Sequence, residues 1–287
     1  MTITLKIPNK YLSAALVFLS SMVLETCLSF IGTPAVRCVT GLTSFFLLTW
    51  FSQKVLKFRK HRYFISIAVV AGICIFQVPL RLANPEATLV SLPIFVCQLL
   101  GVLLGWATFK AQGIVRWSTA GFAVLLGVGM FWKGMDLWLY KLNYGTFTGR
   151  VQLQPSVPLK LHDTRGEIVD LSAFRGKIVL LDFWFTNCGA CFQGFPDVQK
   201  LYNRIKENPN IIFYAVDRPI PSDTSGQAVQ MLLDRNYSFP LLISTDISIP
   251  DRLGVITYPT IIVMDKSQKI IYRGDLEGAD KIVSKLL

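Results

Sequence analysis

The sequence predicts an all-α bundle of about five transmembrane helices followed by an α/β domain. Two observations carry that division. Over roughly the first 140 residues, five apolar runs long enough to cross a bilayer alternate with short polar joints. From about residue 157 onward, β-branched runs alternate with helical spacing, the pattern of a sheet covered on both faces. Composition agrees. A chain that is 52% hydrophobic and 16% charged, with mean hydropathy +0.46, is too apolar for an ordinary soluble protein.

The transmembrane domain is expected over residues 1–142, with spans near 11–31, 35–51, 63–82, 89–109 and 117–138. The first is interrupted only by Glu25 and lacks a small-residue cleavage site, so it is read as a span and not as a signal peptide. The densest basic cluster, Lys54 to Arg62, falls between spans two and three and is placed in the cytoplasm by the positive-inside rule. Counting outward from it puts the tail bearing Lys6 and Lys10 and the Lys110/Arg116 loop inside as well. Five crossings then deliver the C-terminal half to the outer side; only the modest charge of Lys133 and Lys141 runs against this. The net charge of +11 follows from those loops, and with no basic-aromatic motif a nucleic-acid partner is excluded. Trp132, Trp138 and Tyr140 are expected in an interfacial belt.

Three features of the bundle bear on function. Gly101-x-x-x-Gly105 permits close helix approach. Glu25 is costly in lipid and calls for a structural hydrogen bond, a pairing with Arg37, or a wet path for a proton or substrate. Cys27 and Cys38 lie near the outer ends of adjacent helices, and Cys74 and Cys97 at similar depth in spans three and four. Packing as small apolar residues is the ordinary role of such cysteines; a membrane dithiol is the sharper alternative.

Residues 143–156, with Gly145, Gly149 and Pro155, read as a linker, and the α/β domain is expected over 157–287. It starts with a hairpin (157–162 and 168–171) around an Asp163–Gly166 turn. Strands are expected at 178–185, 211–216, 239–243, 261–264 and 269–272. Helices follow the second cysteine to about Glu207, then at 225–236 and 276–287.

The chemistry concentrates in residues 177–196. An apolar strand runs into Asn187-Cys188-Gly189-Ala190-Cys191 and then into a helix marked by Phe195, Val198, Leu201, Tyr202 and Ile205. Cys188 therefore sits at a helix N-terminus, where free N–H groups and the helix dipole favour a thiolate. Cys191, one turn in, is placed to resolve a disulfide formed on Cys188. Asp182 is an acid inside an apolar strand, so its pKa should be raised and it can exchange a proton with the inner thiol. Downstream, Thr257-Tyr258-Pro259-Thr260 opens a strand, where a proline is tolerated and a cis peptide is allowed. A Cys-x-x-Cys can also be half of a zinc site, but no second pair follows and His61 and His162 lie far off, so no metal is expected.

These residues resemble the thioredoxin superfamily and, within it, the membrane-tethered TlpA-like or ResA-like oxidoreductases. Asp182-Phe183-Trp184 and Cys188-Gly189-Ala190-Cys191 look like the active-site strand and turn, and Pro196 like the proline that bends the active-site helix. Tyr258-Pro259-Thr260 resembles the cis-proline loop, and residues 171–177 the leader of the TlpA-like branch. The resemblance covers about 151–287. Asn187 replaces the usual Trp, Ala190 a common Pro and Gly194 a frequent Glu, departures that leave the dithiol intact and bear on redox potential and partner choice.

The resemblance implies a thioredoxin-like domain on a bacterial cytoplasmic (inner) membrane, facing the periplasm or outside. It implies thiol-disulfide exchange with protein dithiols or disulfides, such as apocytochrome cysteines, with a membrane or soluble electron donor and no bound cofactor. Cys188 attacks, Cys191 resolves, Asp182 accepts a proton and Pro259 positions substrate, with Trp184, Tyr258 and Thr257 as substrate-side candidates. Two rivals remain: a thiol peroxidase of the redoxin type, which lacks a peroxidatic threonine at the usual offset, and a non-enzymatic membrane assembly protein.

Overall fold

The computed structural model describes residues 10–56, 63–154, 159–246 and 248–286. Most of the basic cluster and the tail with Lys6 lie outside the described residues. The chain divides into two units, 1–139 and 140–287.

In the first unit the helices are α1 (Lys10–Ser29), α2 (Pro34–Val55), α3 (Tyr63–Ala83), α4 (Pro85–Thr88), α5 (Leu92–Lys110), α6 (Gly113–Gly129) and the start of α7 (Met135–Tyr144). A π-helical turn, Met130–Gly134, joins the last two. Among the described residues, five helical stretches are long and apolar enough to cross a membrane: Tyr11–Ser29, Pro34–Val55, Tyr63–Ala83, Pro85–Lys110 and Gly113–Tyr144. Proline opens α2, α4 and α5, where its missing N–H costs no helical hydrogen bond. Large apolar side chains such as Val124, Leu125 and Trp132 are exposed on the helix surfaces.

Of the alternatives for Glu25, the structural hydrogen bond is the one observed. Glu25 does not pair with Arg37, whose Nε donates to the Ile31 carbonyl at 2.8 Å. Its carboxylate instead accepts from Gln77 and, at 2.6 Å, from Gln98, so amide donors satisfy a buried acid that would otherwise be costly. The four cysteines of the bundle are placed differently. Cys38 and Cys97 are both buried in one cluster with Leu42, Ile94 and Met135, while Cys27 is exposed and Cys74 half-buried.

The second unit is built on an eight-stranded sheet. Its elements are β1 (Arg150–Leu153), β2 (Lys160–His162), β3 (Ile168–Asp170), β4 (Ile178–Trp184), α8 (Gly189–Ile205), β5 (Ile211–Asp217), α9 (Gln227–Leu233), β6 (Leu241–Ile243), α10 (Ser248–Arg252), β7 (Thr260–Met264), β8 (Ile270–Gly274) and α11 (Leu276–Leu286). Strand order is β1-β8-β7-β4-β5-β6-β2-β3. β4 is parallel to β5 and antiparallel to β7, so every backbone group along it can pair within the sheet. That explains its unbroken apolar sequence: all seven of its residues are buried.

Alternation along β4 sorts its side chains between two cores. Ile178, Leu180 and Trp184 face a core shared with Phe195, Val198 and Leu201 of α8 and Val283 of α11. Val179, Leu181 and Phe183 face the opposite core with Leu171 and Leu253. The expected linker is partly sheet, because β1 pairs antiparallel with β8. Tyr140, expected in an interfacial belt, places its hydroxyl 2.7 Å from that of Tyr272, which in turn donates to Asp275.

Candidate active site

The site is assembled where β4 ends. After Trp184 the chain turns, Cys188 becomes the N-cap of α8, and its extended backbone (φ −93°, ψ 91°) leaves the first-turn N–H groups free to face it. Its sulfur accepts from the Cys191 backbone N–H at 3.1 Å. The two cysteines are joined as a disulfide with Cα atoms 5.3 Å apart. Cys188 keeps 5% of its surface exposed and Cys191 1%, so the outer sulfur is the more accessible, as the sequence predicts.

Asp182 lies two residues before Trp184 and so projects to the same sheet face, the one that α8 covers. It is 1% exposed, and neither carboxylate oxygen has a hydrogen-bond partner among the described residues. Burial alone pushes its pKa up to about 7. A carboxyl in that range holds or releases a proton at neutral pH, which an ordinary aspartate cannot do.

Pro259 follows a cis peptide bond from Tyr258. Phe183 pairs with Thr260 across β4 and β7, so Pro259 comes opposite the end of β4 where the cysteine turn begins. Tyr258 packs edge-on against Phe185 at 5.3 Å and is half-buried. Thr257 contributes its carbonyl to the Thr260 hydroxyl at 2.6 Å, fixing the loop on itself. Trp184 has no exposed surface and packs edge-on against Phe192 and Phe195, so it forms the floor beneath the cysteines. The fold thus brings Cys188, Cys191, Asp182, Trp184, Tyr258 and Pro259 to one end of the central strands; Thr257 supports the loop.

The structure adds a second buried acid at this end of the sheet. Asp217 ends β5 directly opposite Trp184, on the strand face shared with Phe213 and Ala215. It is buried, and burial followed by the charge of Asp223 raises its pKa to about 7. The only signal in the sequence is its place at the C-terminal end of a buried strand.

Residues 150–285 match the Redoxin family. The C-terminal domain is a redoxin domain of the thioredoxin superfamily. Similar curated proteins include the thiol-disulfide oxidoreductase ResA of Halalkalibacterium halodurans, 33% identical over 119 residues covering 41% of this chain and 65% of that protein. ResA of Bacillus subtilis is 27% identical over 111 residues, covering 39% of this chain and 60% of that protein. The chain therefore spans less than two thirds of the length of these relatives. Among solved structures, the thioredoxin domain of a thiol-disulfide oxidoreductase from Bacteroides vulgatus is similar at 21% identity and TM-score 0.42, covering 47% of this chain and 97% of that one.

Proposed function

We propose that this protein is a membrane-bound thiol-disulfide oxidoreductase whose redoxin domain exchanges disulfides with extracytoplasmic proteins. The observation that carries the reading is a Cys188–Cys191 disulfide at a helix N-terminus, over a strand that buries an unpartnered carboxyl at Asp182. In the reduced state Cys188, the more exposed sulfur, attacks a substrate disulfide and forms a mixed disulfide. Asp182 takes the proton of Cys191, whose thiolate then attacks Cys188 and releases the substrate as a dithiol. Run backward, the same steps oxidise a substrate. The proline loop at Pro259 borders the cysteine turn and positions the substrate chain, with Tyr258 and Thr257 beside it.

Five apolar helices support placement in the bacterial inner membrane, and the basic residues between the second and third favour the redoxin domain on the periplasmic side. An outer location suits the chemistry, since protein disulfides persist there. The membrane domain acts as a source or sink of electrons, and no cofactor is needed for exchange. The full chain in membranes should reduce a disulfide-bonded protein when supplied with a dithiol, and Cys188→Ser should lower that rate at least 100-fold. Equal rates in both forms would sink the proposal and favour a binding role.

A further inference from the structure

α2 and α5 run parallel and unusually close. A Cβ added at Gly101 would lie 2.4 Å from the Leu42 carbonyl oxygen, and one added at Gly105 would lie 2.5 Å from that of Phe46. These are successive rungs one helical turn apart, pairing residue 42 with 101 and 46 with 105. One rung nearer the helix starts, the same register pairs 38 with 97. Both are cysteine, both are buried, and they pack in one cluster. A glycine seam that draws two backbones together thus ends on two thiols held at a rung where a disulfide can form. Neither Cys27 nor Cys74 joins this cluster.

Cys38 lies four residues into α2 and Cys97 five into α5, so both are only roughly 6–8 Å along the axis from the helix starts. In the proposed orientation those starts face the outer side, where protein disulfides occur. Next to Cys97, the Gln98 side chain packs on Gly41 and donates to Glu25, which fixes this end of α5 against its neighbours.

We propose that Cys38 and Cys97 form a second redox-active dithiol, embedded in the bundle, which exchanges electrons with a Cys188–Cys191 disulfide of this or a neighbouring chain. This rests on the oxidoreductase reading above. A thiolate of the membrane pair attacks Cys188 Sγ, breaking the Cys188–Cys191 bond and forming a mixed disulfide, and Cys191 departs with a proton. The remaining membrane thiol attacks the membrane sulfur of that mixed disulfide. A Cys38–Cys97 bond forms, and Cys188 is released as a thiol. Two electrons and two protons move from the membrane pair to the redoxin pair, and the step is reversible.

The test uses the full chain in membranes. First, a variant carrying Cys38 and Cys97 as its only cysteines is treated with dithiothreitol or with diamide, quenched in acid, denatured and alkylated with a maleimide polymer. Denaturation makes the count independent of burial. The proposal predicts two adducts after dithiothreitol and none after diamide, with the chain still monomeric. Two adducts after both treatments, or a disulfide-linked dimer after diamide, overturn it. Second, with all other cysteines restored, Cys97→Ser and Cys97→Ala should each change the reduced fraction of Cys188/Cys191 in membranes several-fold, downward where the bundle supplies electrons and upward where it withdraws them. Reduction of that pair by added dithiothreitol should be unchanged. An unaltered reduced fraction in both variants overturns the exchange, whereas a redoxin pair that fails to react with dithiothreitol overturns the oxidoreductase reading instead.

Discussion

The backbone N–H of Cys191 donates to the sulfur of Cys188 at 3.1 Å, so the inner cysteine's amide stabilises the outer cysteine's sulfur. When the disulfide is opened, the same amide and the free N–H groups of the first turn of α8 face a thiolate. The alkylation rate of Cys188 in the reduced chain should therefore show a midpoint at or below about pH 7.5, below that of a free cysteine. A midpoint at the ordinary thiol value would remove the helix start from the mechanism.

Asp182 connects chemistry with stability. Its pKa of about 7 in the folded chain exceeds that of an unfolded aspartate, so between about pH 4 and pH 7 the folded state holds a proton that the unfolded state has lost. Stability then falls as pH rises through that window, by at most about 4 kcal/mol. Asp182→Asn has no such loss, so its advantage in melting temperature should be absent near pH 4 and full above pH 7. The same variant should slow resolution of the mixed disulfide by about 100-fold and abolish its inflection near pH 7. A resolution rate unaffected by the change would leave Asp182 a merely buried acid.

Asp217 supplies the contrast. Its pKa is raised to about 7 as well, by burial and then by Asp223, so Asp217→Asn should also gain stability relative to the native chain as pH rises from about 4 to 7. It ends β5 beside Trp184 and carries no proton in the proposed exchange. Mixed-disulfide resolution in Asp217→Asn should stay within about threefold of the native rate, a difference of less than 1 kcal/mol. A loss as large as that for Asp182→Asn would show two carboxyls sharing the proton transfer.

Gly101 tests the seam of the bundle. Because a Cβ there would meet the Leu42 carbonyl at 2.4 Å, Gly101→Ala must push α2 and α5 apart. A destabilisation of about 1–3 kcal/mol is expected, read as a lower melting temperature of the full chain in detergent. An unchanged melting temperature would mean that the two helices do not approach as described.

Much of this was legible in the sequence because it is local. The apolar run of β4 announces a strand buried on both faces, Asp182 stands out inside it, and the change to helical spacing after Cys188 marks an N-terminus. The proline loop was found by type, since Pro259 can open a strand where a ladder N–H is not required. What was missed depends on partners distant in the chain. Residues 150–153 look like linker until β8 supplies a ladder for them. Asp217 looks like a solvated strand end until Trp184 covers the adjacent position. The pairing of Cys38 with Cys97 follows from a register set by Gly101 and Gly105 against Leu42 and Phe46, which no single helix reveals. Glu25 found two glutamines on other helices and not the nearby arginine for the same reason.

The most direct measurement is capture of a substrate on the outer sulfur. Cys191→Ala removes the resolving thiol and leaves Cys188 with no neighbour to displace what it binds. In membranes this variant should accumulate a disulfide-linked protein adduct that reductant dissolves and that disappears when Cys188 is also replaced by serine. An adduct that persists without Cys188, or no adduct at all, would contradict the assignment of Cys188 as the attacking thiolate.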